Sequence, residues 1–162
     1  MSKKKSKYKP RHIIADPLNW VLSGFKPLAS VKDQYMVLMI RIHDALATLY
    51  EGNATREVLD VVINALNMSE ALAVTDVGHE YLADIRAAQD VMLESAARGV
   101  RMGDIFVLTE GERELIQTAM DVHDAQLGSC TVLELDTALA IVKRALRTKR
   151  ARSISQAVQS IA

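Results

Sequence analysis

The sequence predicts a single all-α domain, a bundle of about five helices with an irregular N-terminal strap and basic termini. Three observations carry this expectation. Apolar residues recur at three- and four-residue spacing through most of the chain. Two Thr-x-x-Glu capping boxes, Thr109 with Glu112 and Thr131 with Glu134, mark helix starts. Pro10, Pro17 and Pro27 are the only prolines, so nothing after Pro27 forbids long helices. Composition agrees. Apolar residues make up 49% of the chain and aromatics 4%, which favours aliphatic helix packing over a sheet of aromatic and β-branched pairs. A length of 162 residues suits one core and is short for two domains.

The elements follow in order. Residues 1–12 read as a basic arm. Residues 13–30, IIADPLNWVLSGFKPLAS, are apolar but broken by Pro17, Gly24 and Pro27. They read as a strap packed on the body, with one short helix over 17–23. A first helix is expected over 31–50, capped by Ser30 and stopped at Gly52. It is apolar on most sides, from Val31 to Tyr50, and is therefore expected at the centre. The second helix, over 54–74, follows the Gly-Asn-Ala-Thr turn, with Asp60, Asn64 and Asn67 assigned to its wet side. The third, over 79–98, opens after Gly78 and stops at Gly99, with Leu82, Ile85, Gln89, Met92 and Ala96 on its inner face. Residues 105–108 read as a short extended piece. The two capping boxes open the fourth helix, over 110–127 with Gly128 as its stop, and the fifth, over 132–149. The tail over 151–162 spaces Ile154, Val158 and Ile161 as a short helix or a frayed end. The helical domain thus covers 13–150.

Net charge is zero, but the charges are separated. Lys3, Lys4, Lys5, Lys7, Lys9 and Arg11 put +6 at the start, and Lys143, Arg144, Arg147, Lys149, Arg150 and Arg152 put +6 near the end. All 20 acids lie between, among 8 bases, so the body carries −12. Lysine-rich ends match sequence-independent contact with nucleic-acid phosphates, and Lys143, Arg147 and Arg150 share one side of a persisting helix. Only Tyr8 could stack on a base from the first arm, which points to phosphate contact rather than base readout. Dipole compensation at the helix end and a solubilising tail are the plainer uses of the same charges. The ends could equally grip an acidic protein surface or another copy of the chain. Cys130 stands alone, which excludes an intramolecular disulfide and fits a reducing compartment. With no signal-peptide pattern or membrane-length apolar run, the expected location is the cytoplasm.

The only candidate chemistry lies in two His-Asp-Ala segments, His43-Asp44-Ala45 and His123-Asp124-Ala125. Helical spacing puts both histidines on apolar lines and both aspartates outside. Packing histidines are the expected use. The remote alternative is a metal site of the kind found in helical His-Asp phosphohydrolases, using His43, Asp44, His123 and Asp124. It lacks the further His and Asp that those enzymes need. Phosphate-loop, dinucleotide and zinc-protease motifs are absent, so no enzyme, cofactor or metal is expected.

The segments YKPRHIIADP, HDAL, ALNMSEAL and HDAQL together resemble short, uncharacterised helical proteins of proteobacterial chromosomes and prophages. The resemblance implies a bacterial or phage setting and no mechanism. The sequence therefore leads to a non-enzymatic binding or regulatory protein that contacts nucleic acid through its ends, with a protein-interaction or homo-oligomerising module as the alternative.

Overall fold

The structure, a computed structural model, describes residues 26–28 and 32–155. The arm over 1–12, the strap up to residue 25, its expected helix over 17–23, the Ser30 cap and the tail beyond 155 lie outside the described residues. Among the described residues five α-helices form an all-α domain: α1 Lys32–Tyr50, α2 Arg56–Val74, α3 Leu82–Arg101, α4 Glu110–Ser129 and α5 Val132–Arg147. A 3-10 turn, His79–Tyr81, precedes α3.

Start signals are used as local chemistry dictates. Thr55 caps α2 through the Val58 N–H. Both expected capping boxes form, with Thr109 and Thr131 accepting from the amides of Glu112 and Glu134, whose carboxylates return to the threonine N–H groups. The stops need more context. Gly52, at φ 76°, ends α1 as expected. Gly99 does not stop α3, which continues to Arg101. A Cβ on Gly99 would sit 2.3 Å from Cδ1 of Phe106, so this glycine lets the returning loop press an aromatic ring onto the helix. α4 likewise runs past Gly128 to Ser129. Lys149 is not helical. It takes φ 55°, with the Arg150 N–H donating to the Ala145 carbonyl and the Lys149 N–H to Leu146, a Schellman ending to α5.

The central helix is α2, not the first helix as its apolar content suggested. It packs against α1, α3, α4 and α5. Leu59, Val62, Ile63, Ala65, Leu66, Ser69, Ala71, Leu72 and Ala73 are buried on it, and the small residues let neighbours approach from several sides. In contrast α1 is peripheral and leaves Met36, Val37 and Ile40 at 52%, 68% and 62% exposure. Asn67 also departs from its wet-side assignment. It is buried, accepting from Gln89 Nε2 at 3.0 Å and donating to the Arg152 carbonyl at 2.8 Å. That second bond helps dock the residues after α5, and Ile154 enters the main core. Lys26–Leu28 is pinned to the α4–α5 corner. The Leu28 N–H donates to the Cys130 carbonyl and the Val132 N–H to the Lys26 carbonyl, both at 2.9 Å.

Candidate functional site

The His-Asp segments do not act as a pair of equivalent dyads. His123 sits at the centre of the buried stripe of α4, among Ile116, Ala119, Met120 and Leu127. Its pKa is lowered to about 4, first by burial, with a Gln126 hydrogen bond opposing and the nearby His43 charge adding. The ring is neutral at pH 7, and its Nδ1 has no hydrogen-bond partner. His43 corrects the expectation of an inward histidine. Its side chain is 46% exposed, and its Nε2 meets Oδ2 of Asp124 at 2.9 Å. The apolar neighbours that suggested an inner line, Met36 and Ile40, are themselves exposed. Asp124 is correspondingly not outward. It is 29% exposed in its side chain, and its Oδ1 is buried without a partner. Burial raises its pKa against the opposing effect of His43.

Asp44 lies apart from this junction. It lines a cleft between α1 and α2 whose wall is completed by α5 and whose floor includes His123. The four residues of the remote metal reading thus divide into a His43–Asp124 contact, a buried His123 and a cleft-side Asp44. Among the described residues, no group of three His, Cys, Asp or Glu side chains is placed to hold a metal ion. Cys130 is buried, and burial raises its thiol pKa, which suits packing rather than nucleophilic chemistry.

The cleft, about 810 Å³, is the feature that sequence reasoning missed. Leu38, Ile42 and Ala45 of α1 face Val58, Val61, Ala65 and Met68 of α2, with Leu135 and Leu139 of α5 beside them. Three carboxylates, Asp44, Glu57 and Asp60, stand on its lining against one guanidinium, Arg41. Asp60 has a raised pKa, first from burial and then from Glu57. The sequence signal was there in part: Arg41, Asp44 and Thr48, then Glu57, Asp60 and Asn64, recur at helical spacing on two consecutive helices. Joining the two rows requires the phase of each helix, which the sequence alone leaves open.

The basic C-terminal set is placed on the surface. Lys143, Arg144, Arg147 and Arg150 are exposed, and no ion pair joins them to a described residue. The expected stripe is shorter than proposed, because the Schellman ending takes Arg150 off the helical line of Lys143 and Arg147. Arg152 is a different case. It bonds Asp90 at 2.9 Å and reaches Glu70 at 3.5 Å, so part of the C-terminal charge is spent on the body. Lys3, Lys4, Lys5, Lys7, Lys9 and Arg11, the N-terminal half of the expected phosphate-contact set, lie outside the described residues. No helix among the described residues is long and apolar enough to cross a membrane.

No protein-family model matches the chain, and neither do the curated proteins or the solved structures compared with it.

Proposed function

We propose that the protein is a non-enzymatic cytoplasmic binding protein that contacts nucleic-acid phosphates through its basic ends. One observation supports this most. Lys143, Arg144, Arg147 and Arg150 stand together at the end of α5, exposed and without a carboxylate among the described residues, whereas the other exposed arginines that lack one, Arg41 and Arg101, stand singly on α1 and α3. Twenty acids are available in the chain, so leaving these four cations unmatched keeps them open for an external anion. Their place at the end of α5, away from its first turn, favours backbone contact over base reading. The −12 body would turn away from the polyanion and limit the contact to the ends.

A second reading rests on a different observation. Met36, Val37 and Ile40 form an exposed apolar patch on α1. Together with the charge separation it favours a protein-interaction or homo-oligomerising module in which basic ends meet an acidic surface.

Salt titration separates the two. Phosphate contact gives affinity for mixed-sequence DNA or RNA that falls with salt, with a log–log slope of about −0.9 per phosphate neutralised on duplex DNA. Deleting residues 2–9 or substituting Arg147→Glu with Arg150→Glu should flatten that slope without altering the helical spectrum. If the same changes dissociate an oligomer and leave nucleic-acid binding untouched, the second reading stands. Wild-type protein that retains no nucleic acid at roughly 50 mM salt removes the first.

A further inference from the structure

Three helices leave large aliphatic side chains half-covered around one space. Leu38 of α1, Val58, Val61 and Met68 of α2, and Leu135 and Leu139 of α5 all line the cleft and are half-buried. Leu38 packs against two separate clusters of buried residues, so the cleft lies where they meet. Its floor carries a polar group with nothing to bind. His123 is 1% exposed, and its Nδ1 has no hydrogen-bond partner. We propose that the cleft is the binding site of a small organic cation, an amine with an apolar body and a hydroxyl group close to its nitrogen. The proposal concerns a different surface from the phosphate reading and does not depend on it.

Charge, layout and the unpartnered imidazole each select this ligand. Asp44, Glu57 and Asp60 stand on the lining against Arg41 alone, and among the described residues no ion pair joins Arg41 to any of them. Glu57 lies in the first turn of α2, where the helix itself favours a carboxylate. Asp44 and Asp60 lie further inside their helices and lack that compensation. Burial holds the Asp60 pKa above its ordinary value, and Glu57 adds to this. A cation beside these carboxylates relieves the cost, whereas a phosphate or carboxylate ligand would increase it. The layout adds a direction. α1 and α2 are joined by a short turn and run antiparallel, so Leu38 and Met68 mark an aliphatic end, and Asp44, Glu57 and Asp60 lie toward the other. Leu38 and Asp44 are about 9 Å apart along α1. A ligand with its charge at one end and hydrocarbon at the other matches this order, while a bare metal ion would leave the aliphatic end unfilled. His123 supplies the third requirement. Its imidazole is neutral at pH 7, so Nδ1 donates or accepts according to the tautomer, and a hydroxyl can answer either. Pairing that buried nitrogen recovers the cost of leaving it unsatisfied. The cleft volume, about 810 Å³, falls within the range of small-molecule sites, roughly 300–1,000 Å³.

Amide NMR titration of the full chain with 2-amino-1-octanol should give saturable shifts at lining residues such as Leu38, Val61 and Leu139. Comparators of the same chain length separate the contributions. Octylamine lacks the hydroxyl and should bind about fivefold more weakly. 1,2-Octanediol lacks the charge and should bind about tenfold more weakly, and octanoate should not saturate the site. Asp44→Asn with Asp60→Asn, both exposed positions, should remove the advantage of the amino alcohol over the diol. His123→Leu should cancel the difference between the amino alcohol and octylamine while keeping octylamine affinity. Asp84→Asn with Glu94→Asn, exposed on α3, should leave every affinity unchanged. Circular dichroism checks that each variant keeps its helices. A diol that binds as tightly as the amino alcohol would overturn the proposal, as would amine affinity unmoved by the paired aspartate variant while the helices persist. Shifts that fail to saturate with both amines, or that fall outside the cleft, would overturn it as well.

Discussion

His43-Asp44-Ala45 and His123-Asp124-Ala125 are the same three residues in two helices of the same bundle, and the fold uses them in opposite ways. On α4 the histidine is inside and neutral, while the aspartate sits half-covered at the edge. On α1 the histidine is at the edge, and its aspartate belongs to another surface altogether. The cause is phase. The buried stripe of α4 is centred on His123. That of α1 runs through Ile42, Ala45, Leu46 and Leu49, and His43 stands about 110° from its middle. A residue pair has no fixed role until the angle of its helix to the core is set. His43 and Asp124 meet because each lies one step off its own buried stripe, on the sides where α1 and α4 face each other.

The largest expected difference between the two segments is their response to acid. His123 has its pKa lowered to about 4, below the ordinary 6.5, so the unfolded chain takes up the proton first. Stability is therefore intact above pH 6.5 and is lost as pH falls toward 4, by roughly 3 kcal/mol from this residue. Glu112 acts in a separate window. Hydrogen bonds from Arg98 hold its carboxyl at about 2, so its contribution is lost below about pH 4.5. Urea unfolding at several pH values should show the upper window in the wild type and not in His123→Leu. The Leu variant fills the site and should cost less than about 1.5 kcal/mol at pH 7.5. Equal losses in both proteins between pH 6.5 and 4.5 would show that the two histidines are not so different.

That prediction rests on burial, and burial is where the sequence was least informative. Helix starts were legible because a cap is local. Thr109 and Thr131 need only the residue three positions on. Stops were less so, since Gly99 is explained by Phe106, seven residues away in a loop, and not by the helix it interrupts. The central position of α2 was hidden behind the more continuous apolar run of α1. What distinguishes α2 is its small residues, Ala65, Ser69, Ala71 and Ala73, and not its hydrophobicity. Asn67 read as a surface residue because its partners, Gln89 and the Arg152 carbonyl, come from other parts of the chain. The cleft was illegible for the same reason. Its polar rows were visible on each helix, but their convergence depends on how α1, α2 and α5 are rotated against one another.

The aspartates give an intermediate contrast. Asp124→Ala removes the acceptor of His43 and should cost about 1 kcal/mol. For Asp44 the side chain makes no hydrogen bond among the described residues; its carbonyl alone accepts, from Thr48 Oγ1 at 2.8 Å. Asp44→Ala should therefore stay within about 0.5 kcal/mol in thermal unfolding. If Asp44→Ala proves the more damaging, the cleft side of α1 contributes more to the fold than the α1–α4 contact does.

The smallest effect is the coupling between His43 and Asp124. At 2.9 Å the contact is short, but nearly half of the His43 side chain is in solvent, and water screens the pair. Opposing influences also act on the carboxylate. Burial raises the Asp124 pKa and Asp121 adds to this, while His43 pulls it down. A double-mutant cycle of His43→Ala and Asp124→Ala should therefore return a coupling of about 0.5 kcal/mol at low salt, shrinking as salt is raised. The two single variants should also show different kinds of cost. His43→Ala leaves a half-covered carboxylate without its hydrogen bond, whereas Asp124→Ala frees a histidine that water can already reach. A coupling near 3 kcal/mol that ignores salt would place the pair in a dry junction. His43 would then belong with His123 as an interior residue, and the distinction between the two segments would fail.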